Sequence, residues 1–307
     1  MKEKIRIGTR GSQLALYQAE KTREALVEML PGIPVELVVI KTKGDKILDV
    51  ALSKIGDKGL FTKEIENALL SNEVDLAVHS LKDLPTTLPE GLKLGAVLER
   101  GEFRDAFVSR DGRKLNELRA DDVIATSSLR RKAGLLRQHP GLQIVDIRGN
   151  VQTRLRKMEE GYCDGMLMAA AGLQRLHLDH YITEILDPGF LIPAASQGII
   201  AIESRVDDKR VDAFLKSINH AGTWNAATVE RGFLRSIEGG CQVPVGCYTR
   251  MEGDTVYITC FVASPDGREY LWGEHSGPVS GGKKVGEELS GMLLARGAGK
   301  ILAAIRE

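Results

Sequence analysis

Three stretches hold side chains whose types and spacing could do chemistry. The first is Glu238-Gly239-Gly240-Cys241-Gln242-Val243-Pro244. Paired glycines let a backbone take φ > 0 or approach a ligand closely, and a proline stiffens the far side, so together they describe a presented thiol. The second is a set of strand-to-helix junctions that place an arginine beside a small hydroxyl or amide residue: Thr9-Arg10-Gly11-Ser12, Thr126-Ser127-Ser128-Leu129-Arg130-Arg131 and Arg148-Gly149-Asn150. Ser12, Ser127 or Ser128, and Asn150 are good N-caps. The arginines fit less simply, because the positive end of a helix dipole disfavours cations in the first turn. The same breach at three strand ends points to an anion site, where guanidinium forks hold carboxylates or phosphates bidentately.

Between Thr126 and Lys157 the chain carries Arg130, Arg131, Lys132, Arg137, Arg148, Arg154, Arg156 and Lys157 against the single acid Asp146. A solvated basic face accounts for Lys132, Arg137, Arg156 and Lys157, which fall within helical patterns. Ligand contact is expected of Arg130, Arg131, Arg148 and Arg154, which sit at or near junctions. The third stretch is Ala77-Val78-His79-Ser80-Leu81-Lys82-Asp83-Leu84-Pro85. Adjacent opposite charges in a loop are ordinarily just solvated. Beside an arginine-rich cleft, however, Asp83 is the odd carboxylate, of the kind retained when a reaction develops positive charge. His79 reads as a hydrogen-bonded structural histidine rather than a base.

These residues need a scaffold, and the hydrophobic pattern supplies one. Apolar runs alternate with amphipathic stretches, as in KIRIGT, SQLALYQAEKTREALVEML and PVELVVIKT, which is the pattern of βαβ units and a parallel sheet covered on both faces. The runs VDLAVHS, DVIATSS, LQIVDIRG and DGMLMAAAG repeat the theme, in two sets on either side of about residue 100. QGIIAIESR reads as a further strand that returns to the first set. From about Thr223 the pattern changes to a helix AATVERGFLRSI, the cysteine turn, strands TVYITCFVASP and EYLWGEHSG about an Asp266-Gly267 hairpin turn, and one long closing helix. The expected fold class is α/β, with two similar domains and a smaller α+β C-terminal domain. The expected boundaries are 1–98 with 199–216, then 103–193, then 221–307. The stretch from Lys41 to Phe61, rich in lysine and broken by glycine and aspartate, reads either as a mobile lid over a site or as a solvated surface loop.

Composition sets the outer bounds. The 307 residues are 43% hydrophobic and 27% charged, with Lys+Arg and Asp+Glu balanced at 42 each, so there is no global basic or acidic footprint. No apolar run is long enough to span a bilayer and no apolar leader stretch opens the chain, so a cytoplasmic location without membrane contact is expected. The cysteines Cys163, Cys241, Cys247 and Cys260 form no C-x-x-C pair or zinc-ligand spacing, so no metal is expected, and Cys163 and Cys260 read as inert buried thiols. A nucleic-acid partner is disfavoured because aromatic residues make up only 5% and none interleave with the basic run. The missing G-x-x-x-x-G-K-[ST] loop disfavours nucleotide hydrolysis. A non-enzymatic anion binder on the same scaffold remains a rival reading, since fold alone does not fix function. Such a binder would need neither Cys241 in its glycine turn nor Asp83.

The stretches GTRGSQLAL, KGLFTKEIE, AVHSLKDLP, RDAFVSR, ATSSLRRKA, IRGNVQTRL, AAAGLQRL, QGIIAIESR and EGGCQVPVG, in this order, resemble the porphobilinogen deaminase (hydroxymethylbilane synthase) family over nearly the full chain. The resemblance implies two periplasmic-binding-protein-like domains and a third that carries the cysteine. It implies an enzyme that joins four porphobilinogen molecules head to tail, releases ammonia each time, and frees the linear hydroxymethylbilane. It also implies a dipyrromethane cofactor held by a thioether to Cys241, a permanent anchor rather than a turnover nucleophile, and a monomeric protein. Asp83 matches the family's catalytic aspartate, which steadies the cationic azafulvene formed as ammonia leaves. Lys82, Asp83, Ser80, Thr126, Ser128, Arg130, Arg131 and Arg148 match cofactor positions. Arg10, Ser12, Arg148, Arg154, Arg175 and Gln197 match substrate positions. Two departures stand out: Gly56-Asp57-Lys58-Gly59 where paired glycines are usual, and Ala195-Ser196-Gln197-Gly198 where Val-Gly-Gln-Gly is usual.

Overall fold

The computed structural model describes residues 4–46, 59–237 and 243–306. The chain divides into two compact units, Met1–Leu48 with Gly56–Gly101 and Gly198–Trp224, and Asp49–Ile55 with Glu102–Gln197 and Asn225–Glu307.

The first unit is built on one five-stranded sheet of β1 (Ile5–Thr9), β2 (Val35–Val39), β3 (Leu76–Ser80), β4 (Leu92–Val97) and β10 (Ile200–Arg205), in the order β2-β1-β3-β10-β4. Helix α1 (Gln13–Met29) starts where Ser12 Oγ accepts from Ala15 N at 3.3 Å. Its buried residues Ala15, Gln18, Ala19, Thr22 and Leu26 recur at helical spacing, and Ala19 and Leu26 join Ile5, Ile7, Leu76, Val78 and Ile202 in one core. Helix α3 (Lys63–Leu70) covers the other face with Ile65, Ala68 and Leu69 against Val74, Ala77 and Leu92, while α2 (Lys43–Lys46) is a single turn. At the amino end of β3 the buried Asp75 accepts from Arg6 N and Nε at 2.8 and 3.1 Å and from Arg210 Nη2 at 3.3 Å. It thereby ties β1 to α7 (Lys209–Ile218), the helix that follows the returning strand.

The return of QGIIAIESR is observed, but its direction corrects the expectation of a parallel sheet. β1 pairs in parallel with β2 and β3, whereas β10 pairs antiparallel with both β3 and β4. Parallel pairing is imposed by a crossover helix joining consecutive strands. β10 enters after more than a hundred residues spent elsewhere, so nothing imposes it there.

The second unit repeats the scheme. Strands β5 (Asp105–Ser109), β6 (Val123–Ala125), β7 (Gln143–Val145), β8 (Gly165–Ala169) and β9 (Glu184–Ile185) form a sheet in the order β7-β6-β8-β5-β9. β6 is parallel to β7 and β8, and β5 is antiparallel to β8 and β9. Helices α4 (Leu129–Gln138), α5 (Val151–Glu159) and α6 (Ala170–Gln174) follow β6, β7 and β8 in turn.

The same unit holds an antiparallel meander of β11 (Val245–Glu252), β12 (Thr255–Ala263) and β13 (Tyr270–Pro278). Period-two alternation along β12 sends Val256, Ile258, Cys260 and Val262 into a core with Val229 and Phe233 of α8 (Ala221–Ser236) and Leu289 and Leu293 of α9 (Lys283–Ala295). The expected single closing helix is in fact two, α9 and α10 (Ala298–Arg306), because Gly297 takes φ +102° and breaks the helical path. The expected Asp266-Gly267 turn does join β12 to β13. On the opposite face of the meander, Phe261 and Ala263 pack with Ala133 of α4 and with Ile192, and the Arg137 guanidinium lies 3.8 Å from the Tyr270 ring centroid. α4 is thus braced by the meander.

Cys163, Cys247 and Cys260 are buried and form no disulfide among the described residues; burial pushes the Cys163 thiol up to about 11, in keeping with an inert role. No described helix is long and apolar enough to cross a membrane. No group of three or more His, Cys, Asp and Glu among the described residues could hold a metal ion.

Candidate active site

In the first unit the relevant residues follow the carboxyl ends of β1 and β3. Ser80 ends β3 and its Oγ accepts from Gln18 Nε2 of α1 at 2.8 Å. One 3-10 turn, Leu81–Asp83, comes next. It is pinned by the buried side chains of Leu81 and Leu84, by Leu81 N donating to Ile199 O at 3.0 Å, and by Leu84 N donating to Leu81 O at 3.2 Å. Pro85 keeps the turn from lengthening into a helix. The rigid turn presents Lys82 part-buried and Asp83 exposed. Among the described residues the Asp83 carboxylate has no hydrogen-bond or ion-pair partner. His79 is the structural histidine expected, buried with Nε2 3.0 Å from Glu203 Oε2. At the end of β1, Ser12 caps α1 and Arg10 pairs with Asp45.

In the second unit the carboxyl ends of β6, β7 and β8 carry the rest. Thr126 is buried, and its Oγ1 accepts from Ser128 N at 3.3 Å. Ser127 Oγ donates to Ile147 O and accepts from Ile147 N, both at 2.9 Å, which clamps the loops after β6 and β7 together. Ser128, rather than Ser127, caps α4 by accepting from Arg131 N at 3.4 Å, and Asn150 caps α5 by accepting from Thr153 N at 2.9 Å. Arg148 lies part-buried before that cap, Arg154 part-buried one turn into α5 with Nε on Gly149 O at 2.8 Å, and Arg175 at the C-cap of α6.

Arg130 and Arg131 have a partner inside the protein that the sequence did not signal. Both are buried against Asp105, the residue that opens β5 and is wholly buried itself. Asp105 accepts from Arg130 Nη1 and Nη2 at 2.7 and 3.1 Å, from Arg131 Nε and Nη2 at 3.0 and 2.7 Å, and from Gln197 Nε2 at 3.1 Å. Arg130 Nη1 also reaches Ile192 O, Arg131 Nη1 reaches Leu167 O, and Gln197 Nε2 reaches Phe103 O. Burial pushes the Asp105 carboxyl up, but the two guanidiniums beside it hold it well below the ordinary carboxylate range. Asp105 therefore organises three of the expected ligand residues. In the sequence it is an acid that opens an apolar strand directly after Arg104, and nothing local marks it as the partner of residues 25 and 26 positions away.

The expected anchor Cys241 and the departure at Asp57 lie outside the described residues, as does residues 47–58 of the expected lid. The described ends of that stretch are well packed, with Thr42 and Leu60 buried.

Comparison with known proteins bears directly on these residues. The family model described as porphobilinogen deaminase, dipyromethane cofactor binding domain, matches residues 5–213, and that for the porphobilinogen deaminase C-terminal domain matches residues 224–295. The chain belongs to the porphobilinogen deaminase family. It is 49% identical over 306 residues to the porphobilinogen deaminase of Carboxydothermus hydrogenoformans, covering 100% of this chain and 98% of that protein. It is 50% identical over 300 residues to that of Trichlorobacter lovleyi, covering 98% and 96%. Among solved structures, a probable amino-acid transporter extracellular-binding protein of Bacillus subtilis matches at TM-score 0.44 and 11% identity, over 71% of this chain and 90% of that one. As a porphobilinogen deaminase the chain is an enzyme of tetrapyrrole assembly that works with a dipyrromethane cofactor.

The side chains present suit that group. A dipyrromethane brings carboxylate arms and pyrrole N–H groups. The second unit, taken by itself, has arginine side chains and capped helix starts suited to the arms, and the first has Lys82 and Asp83, whose carboxylate has no partner among the described residues and suits an N–H group.

One departure from the porphobilinogen deaminase pattern has a structural price. Ser196 takes φ +63°, where glycine is at ease, and its buried Oγ has no hydrogen-bond partner among the described residues. Its backbone N donates to Glu230 Oε2 at 2.6 Å, which holds it in that conformation. Relief of the left-handed strain outweighs the extra freedom glycine gives the unfolded chain. Ser196→Gly is therefore expected to stabilise the protein by about 0.5–1 kcal/mol, read as a higher urea midpoint. A lower midpoint would mean that the hydroxyl is satisfied in solution.

Proposed function

We propose that Asp83 is the catalytic residue of four successive porphobilinogen condensations that end in hydroxymethylbilane, and that Cys241 anchors the dipyrromethane through a thioether. The observation that carries this reading is the pinned turn after β3, which holds an exposed carboxylate, without a partner among the described residues, rigid beside Lys82. Such a carboxylate can accept the pyrrole N–H of the substrate. It then opposes the positive charge that grows on the ring as ammonia leaves, and it can hold a proton during the exchange.

The remaining side chains bind and orient. Ser80, Lys82, Thr126, Ser128, Arg130, Arg131 and Arg148 hold the cofactor, which when bound supplies the primer ring from which the chain is extended. Arg130 and Arg131 combine this role with their hold on Asp105 and on the carbonyls of Ile192 and Leu167. Arg10, Ser12, Arg148, Arg154, Arg175 and Gln197 hold the acetate and propionate arms of the substrate; several cations are needed because each added ring brings two more carboxylates. The reading extends to three functional domains, 1–98 with 199–216, 103–193 and 221–307, and to a monomeric cytoplasmic enzyme without nucleic-acid or membrane partners.

The test is intact mass under denaturing conditions for the parent and for Cys241→Ser, each after incubation with porphobilinogen. The expected result is an excess of two porphobilinogen units less two ammonias in the parent and a bare mass in the variant. The same excess in both would place the anchor elsewhere.

A further inference from the structure

Arg10 leaves the carboxyl end of β1 with its side chain already engaged. Its Nη2 lies 2.5 Å and its Nε 3.2 Å from Asp45 Oδ1, and Nε is 3.5 Å from Oδ2. This is the side-on edge of the guanidinium, the edge that grips a carboxylate in two places. The Phe61 ring stacks on the same group, 4.2 Å from Cζ. Asp45 is steered into place in turn. Thr42 Oγ1 and N donate to its Oδ2 at 2.8 and 3.3 Å. The single turn α2 that carries it is set by Gly44 N donating to Leu60 O at 3.0 Å, and a Cβ on Gly44 would run into the Phe61 ring.

Burial alone would raise the Asp45 carboxyl, but hydrogen bonds from Arg10 and Thr42 hold it low, so it stays ionised. The side chains of Arg10 and Asp45 remain 26% and 30% exposed, which leaves the pair open to exchange with solvent. Among the described residues Arg10 Nη1 has no partner.

We propose that Asp45 is an internal stand-in for a substrate carboxylate. It holds the Arg10 fork until an arm of porphobilinogen displaces it, and takes the fork back when that arm moves on. The proposal rests on the reading of Arg10 as a residue for substrate carboxylates. Two effects act in the same direction. An arm that takes the side-on edge must compete with Asp45 for it, and an arm that settles on Nη1 instead lies beside a like charge. Asp45 also makes release easier, since a departing arm leaves a neutral pair behind rather than a part-buried, uncompensated guanidinium.

The test is steady-state kinetics of the holoenzyme with porphobilinogen for the parent, Asp45→Asn, Arg10→Ala and the double variant, each checked for an unchanged circular dichroism spectrum. Asparagine keeps the size of Asp45 and an acceptor for Thr42 but loses the charge. Ion pairs this exposed change an equilibrium by a factor of roughly two to five. Asp45→Asn is expected to lower KM by about threefold and to lower kcat as release slows, and neither change should appear in the Arg10→Ala background. If Arg10→Ala raises KM while Asp45→Asn leaves it unchanged or raises it, Asp45 positions Arg10 and the stand-in is overturned. If Arg10→Ala leaves KM unchanged, the reading of Arg10 falls, and the stand-in with it.

Discussion

Asp83→Asn is expected to keep the fold, the melting temperature and the cofactor mass of the parent while losing turnover by on the order of a thousandfold. The fold should survive because Leu81, Leu84 and two backbone hydrogen bonds hold the turn, and the Asp83 side chain contributes to none of them. Turnover should not survive, because an amide of the same shape carries no charge to oppose the cation that grows on the substrate ring. It also turns an N–H donor toward a position that requires an acceptor. Ammonia release at saturating porphobilinogen, measured on protein whose mass confirms a loaded cofactor, isolates the chemical step. Parent-like release would make Asp83 one more solvated loop carboxylate.

Asp105→Asn is expected to act on stability first, costing about 3–5 kcal/mol in urea unfolding. Two guanidiniums share this one buried carboxylate, so loss of its charge leaves a surplus of buried positive charge. The pH dependence follows from the direction of the shift. The carboxyl of Asp105 is held lower in the folded protein than in the unfolded chain. Its stabilising effect is therefore complete above about pH 4 and is lost as pH falls below that. The stability gap between parent and variant should be widest near neutrality and narrow in acid. A gap that widens on acidification would contradict the assigned charge state. KM should rise in the same variant, since Arg131 and Gln197 lose the acceptor that aims them.

The N-caps at Ser12, Ser128 and Asn150 are legible in the sequence because a cap is a contact between residues three apart. The βαβ pattern, the returning strand and the Asp266-Gly267 hairpin are legible because hydrophobic period and turn chemistry are local as well. The direction of β10 and β5 is not, since it depends on the path of the chain between distant segments. Asp105 and Asp45 escape for the same reason. Their partners lie 25, 26 and 92 residues away in the first case and 35 in the second. A run of arginines thus advertises an anion site, while the acids already seated on some of those arginines cannot be seen without the fold. The two closing helices show a smaller limit: Gly297 is visible in the sequence, but a single glycine inside a helical pattern is compatible with a continuous helix as well as with a break.

The strand order of the two five-stranded sheets sets the order in which a ribosome can finish them. Among the described strands β4 has β10 as its only neighbour, so the first unit's sheet stays at three strands, with a loose fourth segment, until residue 205 has emerged. The second unit's sheet draws on residues 105–185 alone, with its antiparallel strand made first rather than last. The sheet that begins second can therefore close first, and the nascent N-terminal segment must wait, with its edge on β3 unpaired, for a partner about 120 residues behind it. During that interval the unpaired edge is a template for edge-to-edge association.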